Sequence, residues 1–191
     1  MSKRFALIAA AAALALTASA AVPLSAAEMS EKTVNVGGAP MYPSKNIIQN
    51  AVNSKDHTTL VAAVKAAGLV DTLQGPGPFT VFAPTNEAFA KLPAGTVDNL
   101  LKPENKDTLV KVLTYHVVPG RMSALNLMKA VKEGEGTAKL KTVAGEDIWI
   151  KQAGPGKLTV TDSKGDVAVV TIADVMQSNG VIHVIDTVLL P

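Results

Sequence analysis

Apolar and polar positions along this chain follow two different rhythms. Through the first half the apolar residues recur at helical spacing. Ile47, Ile48, Ala51 and Val52 share one face of a segment that Ser44 can cap. Leu60, Val61, Val64 and Ala67 repeat the pattern from Thr58 or Thr59 until Gly68 supplies a stop. Leu69 to Leu73 reads as a short helical turn, and Gly75-Pro76-Gly77-Pro78 as a turn. Phe79 to Ala83 alternates as a strand, with Phe79, Val81 and Ala83 on one side, and Pro84 closes it. Helices are predicted over 86–92, where Thr85 is the cap, over 95–101, over 104–114 after Pro103, and over 123–131. Between the last two, Tyr115 to Val118 reads as a short strand ended by the Pro119-Gly120 turn.

From Gly134 onward the period shortens to two. Runs rich in Val, Ile and Thr (TAKLKTV, EDIWIKQ, KLTVT, DVAVVTIADV and GVIHVIDTVLL) alternate with Gly, Asp and Ser turns, and Asp162 to Gly165 is a hairpin loop. In the last run Val181, His183 and Ile185 point one way and Ile182, Val184 and Asp186 the other, so both faces are largely apolar, as in a buried strand. A helix-rich half followed by a strand-rich half predicts an α+β domain with the helices grouped against one sheet system.

The N-terminus has a third pattern. Lys3 and Arg4 precede an uninterrupted apolar run, Phe5 to Leu16, and small residues follow. The run is shorter than the roughly 20 residues that span a bilayer, and the order basic, apolar, small is that of a secretory signal peptide over 1–27. Cleavage after Ala27 is preferred because Pro23 interrupts the signal helix upstream; cleavage after Ala20 is the alternative. Residues 28–43, with Gly37-Gly38, Pro40 and Pro43, read as an extended lead-in, which leaves 44–191 as a single domain. The mature form has no second long apolar segment and so no integral membrane span.

Removing the signal changes the charge. The 18 basic and 16 acidic residues lose Lys3 and Arg4, which leaves 16 against 16, and Arg121 becomes the one arginine. Nucleic acid is thereby disfavoured as a partner, since phosphate and base-edge recognition lean on arginine and a basic excess. With no cysteine, disulfides, thiolate metal sites and cysteine nucleophiles are excluded. The histidines stand 59 and 67 residues apart at 57, 116 and 183 and carry no metal spacing, and no nucleophile elbow, HExxH, EF-hand or phosphate loop accompanies them. His57 lies in a polar turn and is expected to be exposed; His116 and His183 read as neutral, hydrogen-bonded residues of apolar strands. Asn86 and Glu87 read as helix-start residues, Met122 and Met128 as core, and the lysines at 129, 132, 139, 141, 151 and 157 as a solvated face interleaved with acids. No cofactor is assigned.

Three motifs in order carry a resemblance. Phe79-Thr80-Val81-Phe82-Ala83-Pro84-Thr85-Asn86-Glu87-Ala88-Phe89 is similar to the first signature of fasciclin (FAS1) domains, and Asn179 to Pro191 (NGVIHVIDTVLLP) to the second. Tyr115-His116-Val117-Val118 matches the Tyr-His motif between them. The chain resembles single-domain exported bacterial members of that family, among them secreted mycobacterial antigens. The resemblance implies a FAS1-type wedge-shaped β-sandwich with helices packed on its flank and edge. It implies a non-enzymatic module for cell adhesion or for contact with a cell-surface or matrix protein or glycan. It also implies partner contact by the Tyr-His segment, here Leu113, Tyr115, His116, Val117 and Val118. The competing reading is a periplasmic carrier of a small ligand (haem, a metal or a sugar). Whether Tyr115 and His116 face the core or a partner is left to the structure.

Overall fold

A computed structural model describes residues 32–191. The signal segment and its two cleavage points lie outside the described residues. Among the described residues, helices α1 (Ile47–Ala51), α2 (Thr58–Ala67), α3 (Val70–Gln74), α4 (Asn86–Ala90), α5 (Thr96–Leu100), α6 (Lys106–Tyr115) and α7 (Ala124–Glu133) accompany nine strands. Strands β1 (Val34–Val36) and β2 (Ala39–Met41) form a hairpin of their own. The other seven, β3 (Phe79–Pro84), β4 (Val117–Pro119), β5 (Thr137–Lys141), β6 (Asp147–Gly154), β7 (Lys157–Thr161), β8 (Val167–Gln177) and β9 (Gly180–Ile185), make one mixed sheet in the order β4-β3-β9-β8-β7-β6-β5. Only β3 and β9 run parallel; their register sets Phe79 opposite Gly180 and Pro84 opposite Ile185. The two family signatures thus lie side by side.

Strand β8 makes the sheet a sandwich. Its first three residues pair with β7, and from Val170 it pairs with β9 instead, with register shifts at Val170/Ile172 and Ile172/Val175. Bulges of this kind bend a strand, and Asp174 there adopts φ +58°. The sheet curls until the segment after β5 reaches β4: the Val143 and Ala144 N–H groups donate to the Val117 and Thr114 carbonyls at 2.8 and 3.3 Å. The result is a nearly closed α+β sandwich.

The curl separates two hydrophobic clusters. One lies between the helices and one face of the central strands (Ile47, Leu60, Val64, Val81, Ala83, Leu109, Leu113, Ile182, Val184). The other lies inside the curl with α7 (Phe82, Tyr115, Leu127, Ile148, Ile150, Leu158, Val160, Ile185, Leu189). The alternation expected for Phe79–Ala83 and for Val181–Asp186 is what allows β3 and β9 to serve both clusters at once.

Four local expectations differ from the structure. The lead-in folds: Gly37 and Gly38, at φ +60° and +75°, make the turn of the β1–β2 hairpin, which buries Val36 and Met41. Two adjacent glycines are a turn signal when apolar residues flank them. Helix α1 is capped by Asn46, in a reciprocal capping box with Gln49, not by Ser44. Tyr115 ends a helix instead of opening a strand, and His116 is that helix's C-cap. His57 is buried, because a short 3-10 turn (Lys55–His57) tucks its ring beneath α2.

Candidate functional site: the Tyr-His junction

Helix α6 delivers Leu109, Val112 and Leu113 to the first cluster, and its last residue, Tyr115, to the second. The chain turns at His116 and enters β4. All five residues of the expected partner-binding segment are therefore interior: exposure runs from 0 % for Tyr115 to 6 % for Val117. The question the sequence left open has its answer in the geometry, since both ring side chains face the core.

The polar atoms of the segment are engaged as completely as its apolar ones. The Tyr115 hydroxyl donates to the Asp147 carbonyl and accepts from the Ser163 N–H, both at 2.9 Å, tying α6 to the start of β6 and to the β7–β8 loop. His116 Nδ1 donates to the Val112 carbonyl at 2.8 Å, and Nε2 accepts the Leu189 N–H at 2.9 Å. A carbonyl can only accept and an N–H can only donate, so these two partners fix the neutral Nδ1–H tautomer. Burial pushes the His116 pKa down to about 4, against weaker upward pulls from the Val112 carbonyl and the Asp162 charge. The His116 carbonyl accepts the Phe82 N–H of β3 at 2.9 Å. One dipeptide therefore joins α6, β3, β6, the β7–β8 loop and the C-terminal segment.

The other two histidines are buried as well. His183 Nε2 donates to the Met122 carbonyl at 2.8 Å, and Nδ1 accepts the Asp174 N–H at 3.3 Å. Its ring stacks on Phe82 with centroids 5.6 Å apart. Burial lowers its pKa, against the Met122 carbonyl and the Asp174 charge. His57 Nδ1 faces the Ser54 hydroxyl at 2.9 Å, while its Nε2 has no hydrogen-bond partner among the described residues. Burial lowers its pKa too, opposed by the nearby Ala83 backbone and Asp56. No group of three or more metal-ligating side chains occurs among the described residues.

His57 and His116 both line an apolar cavity of about 40 Å³ between α1, α2 and β3. Small-molecule sites usually have volumes of about 300–1,000 Å³, so haem or a sugar would not fit this chamber as it stands. The cavity is large enough for about one water molecule.

Three further residues do structural work that their motif context did not announce. The Asn86 side chain accepts the Thr59 N–H at 3.0 Å and the Thr58 hydroxyl at 3.1 Å, and donates to the Lys55 carbonyl at 2.8 Å; it caps α2 from the start of a different helix. Thr85 caps α4 itself. Asn179 accepts the Ile47 N–H and donates to the Leu73 and Gly75 carbonyls. Buried Asp162 accepts from the N–H groups of Lys164, Asp166 and Leu190, all at 2.9 Å, which fixes the β7–β8 loop to the C-terminal segment.

With both signatures paired and the Tyr-His segment between them, the class is defined, and the chain belongs to the fasciclin family. The Fasciclin domain description matches residues 55–191. Protein sll1483 of Synechocystis is 50% identical over 170 residues, which cover 89% of this chain and 87% of that protein. Cell surface glycolipoprotein MPB83 of Mycobacterium bovis is 35% identical over 74% of this chain and 58% of its own length. A solved FAS1 domain pair from the insect cell adhesion molecule fasciclin I has the same fold, with a TM-score of 0.69 and 19% identity, over 84% of this chain and 58% of that one.

Proposed function

We propose that this chain is an exported, non-enzymatic binding module that engages a cell-surface or matrix component. The observation that carries the reading is the membership of nearly the whole folded region in a family with a cell-surface glycolipoprotein among its members and a cell adhesion molecule sharing the fold. The buried histidines support it, since each serves a neutral packing role and none is presented to solvent. In this reading residues 1–27 direct export, the mature chain starts at Glu28, and the product is periplasmic or secreted. No helix among the described residues is long and apolar enough to cross a membrane.

Leu113, Tyr115, His116, Val117 and Val118 then serve binding from beneath the surface. They fix the neighbouring exposed positions, such as Val143, whose N–H is held by the Val117 carbonyl. The test is a panel of immobilised glycans and matrix proteins probed with mature protein. Saturable binding to at least one member is expected; mature protein that saturates none would contradict the reading. Mass spectrometry of exported material should give an N-terminus at Glu28, and an intact Met1 would refute the export claim.

A further inference from the structure

We propose that the outer face of strands β5 to β8, centred on Trp149, binds an acidic polysaccharide, a chain bearing uronate or sulfate groups. This rests on the surface-binding reading above and names the partner class. Alternation along the strands defines the face. Ala138, Ile148, Ile150, Leu158, Val160 and Ala168 point inward and are buried in the second cluster. Their neighbours point out, and the registers align them into two rows across the sheet. One row is Lys139, Trp149, Thr161 and Val167; the next is Thr137, Lys151, Thr159 and Val169, in which Thr159 is covered and its hydroxyl donates to the Lys151 carbonyl.

Trp149 is the only tryptophan of the chain and is partly exposed on the middle of this face. Val167, beyond Thr161 in the same row, is 51% exposed, and Val169 37%. Where β8 leaves β7 to join β9, the sheet opens into a groove of about 440 Å³ edged by Lys157, Val169 and Thr171. The groove adjoins the exposed Val167 and Val169 of β8 at its Val169 end.

Charge selects the occupant. Lys129 pairs with Glu133 on α7, and Lys139 with Asp147 at 2.8 Å. Lys141, Lys151 and Lys157, outward on β5, β6 and β7, form no ion pair with any described residue. Asp147 shares this face, opposite Lys141 in the register and paired with Lys139, so the positive surplus lies toward Lys151 and Lys157. An indole plane packs against the C–H face of a sugar ring, the part-exposed Thr137 and Thr161 hydroxyls and ammonium groups meet its oxygens, and the three lysines meet regularly spaced carboxylates or sulfates. The apolar part of the face is three side chains wide, well short of the roughly 800 Å² per partner of a standard protein interface.

The sole tryptophan makes the test direct. Mature protein is titrated with polygalacturonate, with uncharged dextran as control, while indole emission and calorimetric binding are followed. We expect a saturable emission change with polygalacturonate only, weakening as salt rises past about 0.1 M. The triple variant Lys141→Gln, Lys151→Gln, Lys157→Gln should bind about tenfold more weakly, and Trp149→Ala should lose binding with an unchanged melt. An equal response to dextran, or lysine-variant affinity equal to wild type, would overturn the proposal. So would calorimetric binding with silent emission, which would leave the surface-binding module intact but place its site elsewhere. A response to vesicles of phosphatidylglycerol with none to polygalacturonate would overturn it in favour of a membrane. If Trp149→Ala does not fold, the lysine variant and wild-type emission decide.

Discussion

Acidification should loosen this fold through His116 in a measurable way. The folded ring is neutral, because Nδ1 donates to Val112 and Nε2 accepts from Leu189; a proton on Nε2 would set two donors against each other. In the unfolded chain the same ring takes up its proton near pH 6.5, whereas in the fold it does so only at about 4. Between those values the unfolded state binds more protons, so stability is fully present above pH 6.5 and falls as pH drops towards 4. The loss from this one residue amounts to about 2 kcal/mol at pH 5 and about 3 kcal/mol at pH 4. Urea unfolding of wild type and His116→Gln at pH 7.5, 6 and 5 isolates the effect, because the carboxylates titrate in both proteins and cancel. Wild type should be the more stable at pH 7.5, and the gap should narrow by about 2 kcal/mol by pH 5. Ring chemical shifts of the wild type would give the same answer directly. A constant gap, or a folded His116 that titrates near pH 6.5, would refute the reasoning.

The remaining expectations concern the contacts around that residue. Tyr115→Phe removes the hydroxyl that joins Asp147 to Ser163 and should cost about 1–2 kcal/mol in urea unfolding, since two part-buried hydrogen bonds are lost while water can reach the exposed Ser163 side; a variant within about 0.5 kcal/mol of wild type would mean that water replaces the hydroxyl fully. Gly180→Ala would drive a Cβ into the Phe79 carbonyl across the β3–β9 pairing, so the variant should be recovered unfolded or aggregated, and a soluble protein with a wild-type melt would contradict that contact. Asn86→Ala should cost about 1–2 kcal/mol by uncapping α2, with faster amide exchange at Thr59 as its local signature.

The helices and strands were legible because their periods are long or strongly alternating. The strand of Phe79–Pro84 and the loop at Asp162–Gly165 needed no tertiary information. The fate of Tyr115 did need it. Helix and strand both tolerate an apolar residue beside an aromatic one, and only the cluster inside the curl favours one more helical residue before the turn. His57 was misplaced for a related reason: polar neighbours such as Asn53, Ser54, Lys55 and Asp56 suggest solvent, but the 3-10 turn directs the ring inward onto the buried Ser54 hydroxyl while Asn53, Lys55 and Asp56 stay exposed. The folding of the lead-in depended on partners far along the chain. The motif letters marked Tyr115 and His116 as special without saying why. Their distant partners, Asp147, Ser163 and Leu189, are 32, 48 and 73 residues away and carry no local signal.

The account's central claim is that the Tyr-His segment holds the fold from inside and that partners are met elsewhere. The double variant Tyr115→Ala, His116→Ala tests it most directly, with thermal unfolding and surface binding measured on the same preparation. The account predicts no cooperative transition and no soluble native protein, because the substitution empties a fully buried site and unties five segments. A cooperative melt close to wild type, with binding lost, would contradict it and restore the segment as a recognition surface.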